Sequence, residues 1–305
     1  WGELYDRELK EIFSLQDEIT MKILSALQVK LTIGEQARTM AKGTDNLEAY
    51  LKILQARALK WDFTIEHLPL MRQLAEEAIS LDPKYAAAYN FLSGCYRFEV
   101  WYGLTKTPGK SLERSFEIVQ KALALDENLA AAYSSLGSYY NMKRQFDKAI
   151  TNIELAISLN PNDADNHANF GRFLNNLGRT DESIAEFKKA IRLNPHAPSN
   201  YLYNFGVTYW MAMQYEEAIA LCKKAVDRNP DEMFAHVTLA AIYSEVGRGE
   251  EASASVTEVL KIKPNFNLEW FEKMLPWKNK ADVDRMVDAL RKAGIPDKPP
   301  QKVSD

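Results

Sequence analysis

Large hydrophobic residues recur along this chain at helical spacing, with a small residue among them. In the clearest stretch Tyr133, Leu136 and Tyr140 accompany Gly137. Spacings of three, four and seven residues place such side chains on one face of an α-helix. The same four positions recur elsewhere: Tyr89, Leu92, Ser93 and Tyr96; His167, Phe170, Gly171 and Leu174; Leu202, Phe205, Gly206 and Tyr209; His236, Leu239, Ala240 and Tyr243.

A second apolar stripe follows each of these helices, and a proline follows most of the second stripes. Pro161, Pro195, Pro230 and Pro264 are separated by 34, 35 and 34 residues. Proline cannot continue the hydrogen-bond ladder and disfavours helical geometry in the residue before it, so each proline ends a helix. Paired helices with a fixed period near 34 residues predict a helical repeat array.

The pattern resembles the tetratricopeptide repeat over residues 46–266, because proline, glycine, alanine and aromatic positions recur together in register. The resemblance implies an all-α, right-handed superhelical solenoid of helix-turn-helix repeats. It also implies that the first helices of the repeats line the concave face. We count six units, at residues 46–85, 86–129, 130–163, 164–198, 199–232 and 233–266.

The two ends do not follow the repeat. In residues 1–45, apolar positions from Leu9 to Leu31 predict a long linker helix over about residues 6–31, which packs either on the first repeat or on a second copy of the chain. In residues 267–305, we expect an amphipathic capping helix at 281–293, ended by Gly294, and then a disordered tail.

A narrower resemblance lies in the linker and the end of the chain. Residues 1–7, 12–20, 43–50 and 288–294 resemble the C-terminal part of bacterial multidomain signalling proteins, in which a class III adenylate/guanylate cyclase domain or a winged-helix regulator precedes tetratricopeptide repeats. The resemblance implies a cytoplasmic, non-catalytic segment of a cyclase-type parent. Because the chain starts at Trp1, we expect it to be part of a longer protein, with residues 1–45 ending a preceding domain.

Two early repeats carry insertions. Tyr50 and Tyr89 are 39 residues apart, and Tyr89 and Tyr133 are 44 apart. The extra residues lie around residues 61–63 and 100–103, and they are rich in aromatic side chains. Two interpretations stay open: the insertions pack on the flank of the array, or they form a partner or dimer contact.

Charge and composition narrow the function. The net charge of −4 and the lack of a basic run argue against nucleic-acid binding. No apolar stretch approaches the ~18 residues that span a membrane. The two cysteines, Cys95 and Cys222, are expected to be buried in helices, and His167 and His236 to be structural. We identify no catalytic residue, metal site or cofactor.

A protein or peptide is therefore the expected partner, bound in a groove on the concave face. The inward positions predicted to line this groove are Asn90, Arg97, Ser134, Ser138, Asn141, Asn169, Arg172, Asn176, Asn200, Tyr203, Asn204 and Trp210. The alternative for these side chains is a merely solvated polar wall. The alternative function is a spacer or homodimerisation module, acting through the N-terminal helix or the insertion at Trp101.

Overall fold

The computed structural model describes residues 43–61 and 63–299. The predicted linker helix at 6–31 and the end of the tail lie outside these residues. Within them the chain forms fourteen α-helices and no strand: α1 (Leu47–Trp61), α2 (His67–Leu81), α3 (Ala86–Trp101), α4 (Pro108–Leu125), α5 (Ala130–Met142), α6 (Phe146–Leu159), α7 (Ala164–Asn176), α8 (Thr180–Leu193), α9 (Ser199–Met211), α10 (Tyr215–Arg228), α11 (Met233–Glu245), α12 (Gly249–Ile262), α13 (Leu268–Met274) and α14 (Lys280–Ala293).

Helices α1 to α12 pack in six consecutive pairs, and each pair packs on the next. The predicted all-α repeat architecture is confirmed. Helix α14 covers the end of the array by packing against α11. Its buried residues Val283, Met286, Val287 and Leu290 are the predicted apolar face. Gly294 ends the helix in the left-handed region, at φ 109°. None of the helices in the described part is long and apolar enough to cross a membrane.

The small residue in each first helix permits close contact with the second helix of the same pair. A Cβ on Gly206 would lie 2.5 Å from the Sγ atom of Cys222, and a Cβ on Gly171 would lie 2.9 Å from the Phe187 ring. Both distances are shorter than van der Waals contact. Cys222 is buried, as predicted, and burial raises the pKa of its thiol. Cys95 is also buried, and burial raises its pKa to about 12.

A hydrogen bond recurs between the first helix of a repeat and the loop six residues before it. The Tyr89 hydroxyl donates to the Pro83 carbonyl at 3.2 Å, and Tyr133 donates to the Glu127 carbonyl at 3.0 Å. The Nε2 atoms of His167 and His236 lie 3.0 and 2.9 Å from the carbonyls of Pro161 and Pro230. The two histidines therefore serve the same structural role as tyrosine at this position, as predicted.

The turn inside each of the last four pairs needs a left-handed backbone. The φ angles are 56° at Arg144, 77° at Gly178, 60° at Met213 and 78° at Gly247. Glycine adopts this conformation without a steric penalty. Arg144 has a compensating contact, because its guanidinium donates to the Leu275 carbonyl at 2.9 Å. The spacing of these turns follows the 34-residue period.

The aromatic insertions pack inside the array, on distant repeats. Phe63 and Tyr102 lie with ring centroids 4.8 Å apart, and Tyr102 lies 5.4 Å from Phe234 of α11. Trp101 contacts the same Phe234 ring at 5.6 Å. The packing interpretation is therefore confirmed, but the location was wrong: these side chains lie across the concave interior, not on the flank.

Hydrogen bonds reinforce this closure across more than 160 residues of sequence. The Lys263 ammonium donates to the Tyr102 carbonyl at 2.9 Å. The Asn229 side chain donates to the Phe63 carbonyl, also at 2.9 Å. Gly103 packs so closely on Trp270 that a Cβ there would lie 2.7 Å from the indole nitrogen. The first two repeats thus touch the last two, and the concave face encloses a restricted space.

Replacing Gly206 by valine should lower the free energy of unfolding by roughly 1–3 kcal/mol, because the added side chain overlaps Cys222 and the α10 backbone. Gly109→Val is the matched control, since a Cβ at Gly109 meets no atom from elsewhere in the chain within 4 Å. Urea denaturation followed by circular dichroism measures both. Equal stability of the two variants would contradict the close-packing argument.

Replacing Tyr102 by alanine should destabilise the chain by about 3 kcal/mol, because the side chain is buried between Phe63 and Phe234. Leu104→Ala provides a control from the same insertion, since Leu104 is 42% exposed. Thermal unfolding measures both variants, and only the Tyr102 variant should unfold at a clearly lower temperature than the parent. A Tyr102 variant as stable as the parent would contradict the packing role and favour a partner or dimer contact for the insertion.

Candidate functional site

The concave face contains a cavity of about 220 Å³, here called the concave cavity, between helices α3, α5, α7 and α9. Eight predicted site residues line it: Asn90, Arg97, Ser138, Asn169, Arg172, Asn200, Tyr203 and Asn204. Ser134 lines an adjoining cavity of about 180 Å³ that shares Asn90, Arg97 and Asn169. Asn176 lines a smaller cavity of about 40 Å³ beside Arg172 and Tyr203. The structure thus brings together ten of the residues chosen from register alone.

The structure corrects the prediction for Trp210. Its side chain is fully buried, and its indole nitrogen donates to Glu245 Oε2 at 2.9 Å. The ring stacks on Trp277 at 5.9 Å, and the Arg285 guanidinium covers it at 4.1 Å. Trp210 therefore joins the core with the C-terminal cap and is not accessible to a partner. The sequence pattern does not indicate this burial, because the cap lies far from Trp210 in the sequence and covers it only in the folded chain.

Asn141 is the other predicted residue outside these cavities. It is fully buried, and its Oδ1 atom accepts from the Asn176 side chain at 3.1 Å. Its role is to pair the third and fourth repeats. The prediction that Asn141 contacts a partner is therefore wrong, because its amide lies between two helices.

Similar polar pairs connect α5 and α7 along the cavity wall. The Asn169 side chain donates to Ser134 Oγ at 3.1 Å, and Arg172 donates to Ser138 Oγ at 3.3 Å. Arg172 also donates to Asn169 Oδ1 at 3.2 Å. The bonds between helices link positions 34 or 35 residues apart, so the repeat register itself builds the polar wall. They orient the side chains before any ligand binds.

Not every polar atom of the wall has a protein partner. The Asn90 Oδ1 atom is buried and has no hydrogen-bond donor among the described residues. An unpaired buried acceptor costs free energy. The wall therefore has an acceptor available to a ligand donor or to water.

Two arginines dominate the charge of the cavity. Arg97 donates to Ser93, Ser115 and Ser135 at 2.8, 3.2 and 3.0 Å. Burial, together with the nearby charge of Arg172, lowers the pKa of Arg97 to about 10. Burial likewise lowers the pKa of Arg172 to about 10. Both groups remain protonated near neutral pH, so the cavity holds two positive charges.

Aromatic residues in the insertion and in the helix just before it form another wall. Phe98, Trp101 and Tyr102 line the concave cavity, and the Arg172 guanidinium lies 5.9 Å from the Trp101 ring. These three residues are not among the positions predicted from the repeat register. Their enrichment in a lengthened repeat was the available signal, but only the folded chain shows which surface they meet.

An acidic pair, Asp163 and Asp165, also lines the cavities. Asp165 is 3.9 Å from Lys60 and accepts a hydrogen bond from the Tyr201 hydroxyl. Burial opposes ionisation of Asp165, but Lys60 and Tyr201 outweigh it and lower its pKa. Burial and the adjacent Asp165 charge raise the pKa of Asp163 to about 6. Among the described residues, no group of histidines, cysteines and carboxylates is placed to hold a metal.

A protein from Rhizobium meliloti (strain 1021) named "Putative adenylate cyclase 3" is 39% identical to this chain over 93 residues. The match covers 30% of this chain and 16% of that protein. The chain thus corresponds to a small part of the length of this relative.

Solved structures share the fold. The thermophilic tetratricopeptide protein TTC0263 of Thermus thermophilus is 18% identical, with a TM-score of 0.50, and the match covers 64% of this chain and 98% of that one. A chain of the APC/C hetero-tetramer Cut9-Hcn1 is 14% identical, with a TM-score of 0.57, over 85% of this chain and 45% of that one. At these identities the similarity concerns the fold alone.

Family models for the tetratricopeptide repeat match residues 136–198, 176–233 and 209–271. These matches overlap and together cover α6 to α12 and parts of their neighbours. The helix pairs on either side continue the same architecture. Over residues 136–271 the chain therefore matches the tetratricopeptide repeat family, and its overall fold is a tetratricopeptide-repeat solenoid.

Proposed function

We propose that the chain is the regulatory interaction module of a cytoplasmic, cyclase-type signalling protein and that it binds a protein or peptide partner in the concave cavity. Tetratricopeptide repeats are protein-interaction modules, and this segment is such a module and not an enzyme. The cyclase-type parent is supported by the 39% identity to part of the Rhizobium protein. In this proposal the cyclase activity of the parent protein resides in domains outside the repeat array.

The observation that carries the binding proposal is the convergence of polar side chains on one cavity. Asn90, Asn169 and Asn204 come from three different repeats and line the same space. An asparagine side chain both donates and accepts hydrogen bonds, which suits a peptide backbone. The unpaired Oδ1 atom of Asn90 can accept from a donor of this kind.

The closure of the array limits what the partner can insert. Phe98, Trp101 and Tyr102 occupy part of the concave interior, and cavities of about 220 and 180 Å³ remain. This space suits a short segment or a chain end. A long peptide running the length of the array would have to displace the aromatic insertion.

The spacer or dimer alternative has less support from the described residues. The insertion at Trp101 packs on Phe234 within the chain, so it is not a free dimer contact. Dimerisation would then depend on the linker helix, which lies outside the described residues. A mass that rises with concentration and depends on residues Leu9 to Leu31 would favour that alternative.

The proposal predicts that the combined substitution Asn90→Ala, Asn169→Ala and Asn204→Ala abolishes capture of a specific partner from a lysate of the source organism. Loss of three hydrogen-bonding groups should weaken binding by about a hundredfold, at roughly 1 kcal/mol each. Mass spectrometry of proteins retained by immobilised chain measures the effect.

A matched control carries Thr151→Ala, Lys188→Ala and Lys223→Ala, which alter exposed residues on three second helices. Circular dichroism verifies that both triple variants remain folded. A partner retained equally by both variants would place binding elsewhere on the array. Capture of no specific partner by the parent chain would favour the spacer alternative.

A further inference from the structure

The two arginines of the concave cavity lack the carboxylate partner that Arg72 and Arg285, two other half-buried arginines, have. Arg72 pairs with Glu99 at 2.9 Å, and Arg285 pairs with Glu245 at 2.7 Å. Within residues 43–61 and 63–299, neither Arg97 nor Arg172 lies within 4.0 Å of a carboxylate oxygen. Their hydrogen-bond partners are serine hydroxyls and one asparagine oxygen. Arg172 also lies 4.9 Å from the centroid of the Phe173 ring.

Such an arrangement is unfavourable without a ligand. A charge removed from water needs a counter-charge or a metal, and breaking a buried ion pair is strongly destabilising. Here two like charges share one wall, and burial lowers the pKa of both groups to about 10. The carboxylate that lines the same cavity, Asp165, is already engaged by Lys60 and Tyr201.

We propose that Arg97 and Arg172 bind the oxyanion group, a carboxylate or a phosphate, of a small ligand free in solution. Guanidinium groups recognise both groups through paired charge-assisted hydrogen bonds. The hydroxyls of Ser135 and Ser138 flank the two arginines and hold them in place.

The size and walls of the cavity define the rest of the ligand. Its volume of about 220 Å³ lies below the 300–1,000 Å³ of sites for drug-sized molecules, so the ligand is small. Trp101 and Tyr203 offer aromatic surface beside the charged groups. Asn90 offers an unpaired acceptor for a hydroxyl or amide donor on the ligand. These features describe a small organic acid or a phosphorylated metabolite.

The proposed ligand goes beyond the proposed partner and does not depend on it, although a ligand and the chain end of a partner would compete for the same cavity. Anion binding is a property of the isolated chain, whereas the partner experiment requires a lysate. Failure of either experiment leaves the other interpretable.

Isothermal titration calorimetry of the chain with inorganic phosphate and with malonate, at low and constant ionic strength, tests the proposal. We expect saturable binding of at least one ion, weakened about tenfold or more by Arg97→Gln and by Arg172→Gln, because each removes a charge-assisted bond. The control Arg114→Gln alters an exposed guanidinium paired with Glu117 at 3.0 Å, and it should leave the affinity unchanged. Stronger binding of phosphate would identify a phosphate group as the ligand's oxyanion, and stronger binding of malonate would identify a carboxylate.

Two outcomes would overturn the proposal. One is equal affinity in the parent and all three variants. The other is binding of a peptide with a free C-terminal carboxylate but of neither ion, with loss on amidation, which would make a protein the source of the oxyanion.

Thermal unfolding distinguishes a variant that has lost ion binding from one whose fold is destabilised. Without ligand, Arg172→Gln should unfold at the same temperature as the parent or higher, because it removes an unpaired charge. Phosphate or malonate should raise the midpoint of the parent but not of this variant. A large drop in the midpoint of the ligand-free variant, with the ion response retained, would assign Arg172 a structural role instead.

Discussion

The structure depends on one contact across the concave interior, where Tyr102 lies between Phe63 and Phe234. In a repeat array each unit ordinarily contacts only its neighbours, so the curvature of the whole is the sum of small local rotations. Here an aromatic insertion in the second repeat reaches the sixth, and Lys263 and Asn229 add hydrogen bonds to backbone carbonyls of the insertions. The contact therefore joins the second and sixth repeats, which would not touch in an array built only from contacts between neighbouring repeats.

This closure changes the environment of the inward-facing side chains. On an open concave face Arg97 and Arg172 would be solvated, and their charge would need no partner. With the aromatic wall in place, both are half-buried in a small cavity, and burial lowers the pKa of both. The packing of the insertion and the electrostatics of the cavity are thus two consequences of the same contact.

The repeat register and the cavity chemistry are connected in the same way. Side chains 34 or 35 residues apart meet across adjacent first helices, as Asn169 meets Ser134 and Arg172 meets Ser138. One pairing, Asn176 with Asn141, is buried between two helices and links the third repeat to the fourth. In the other pairings, some hydrogen-bonding groups face the cavity. A polar residue at an inward register position is therefore either a link between repeats or a ligand contact, and the neighbouring repeat decides which.

The sequence by itself determined the helix pairs and their period, because these follow from local spacing, prolines and small residues. Which helices face inward was implied by the resemblance to the tetratricopeptide repeat. The sequence also placed ten of the twelve chosen residues on the cavities, since register maps directly onto a helical face. Tertiary structure alone decided the rest. Trp210 lies in the core because the C-terminal cap packs over it. Trp101 lines the cavity because the insertion packs across the concave interior. Both outcomes depend on contacts between residues distant in sequence, which no periodic pattern encodes.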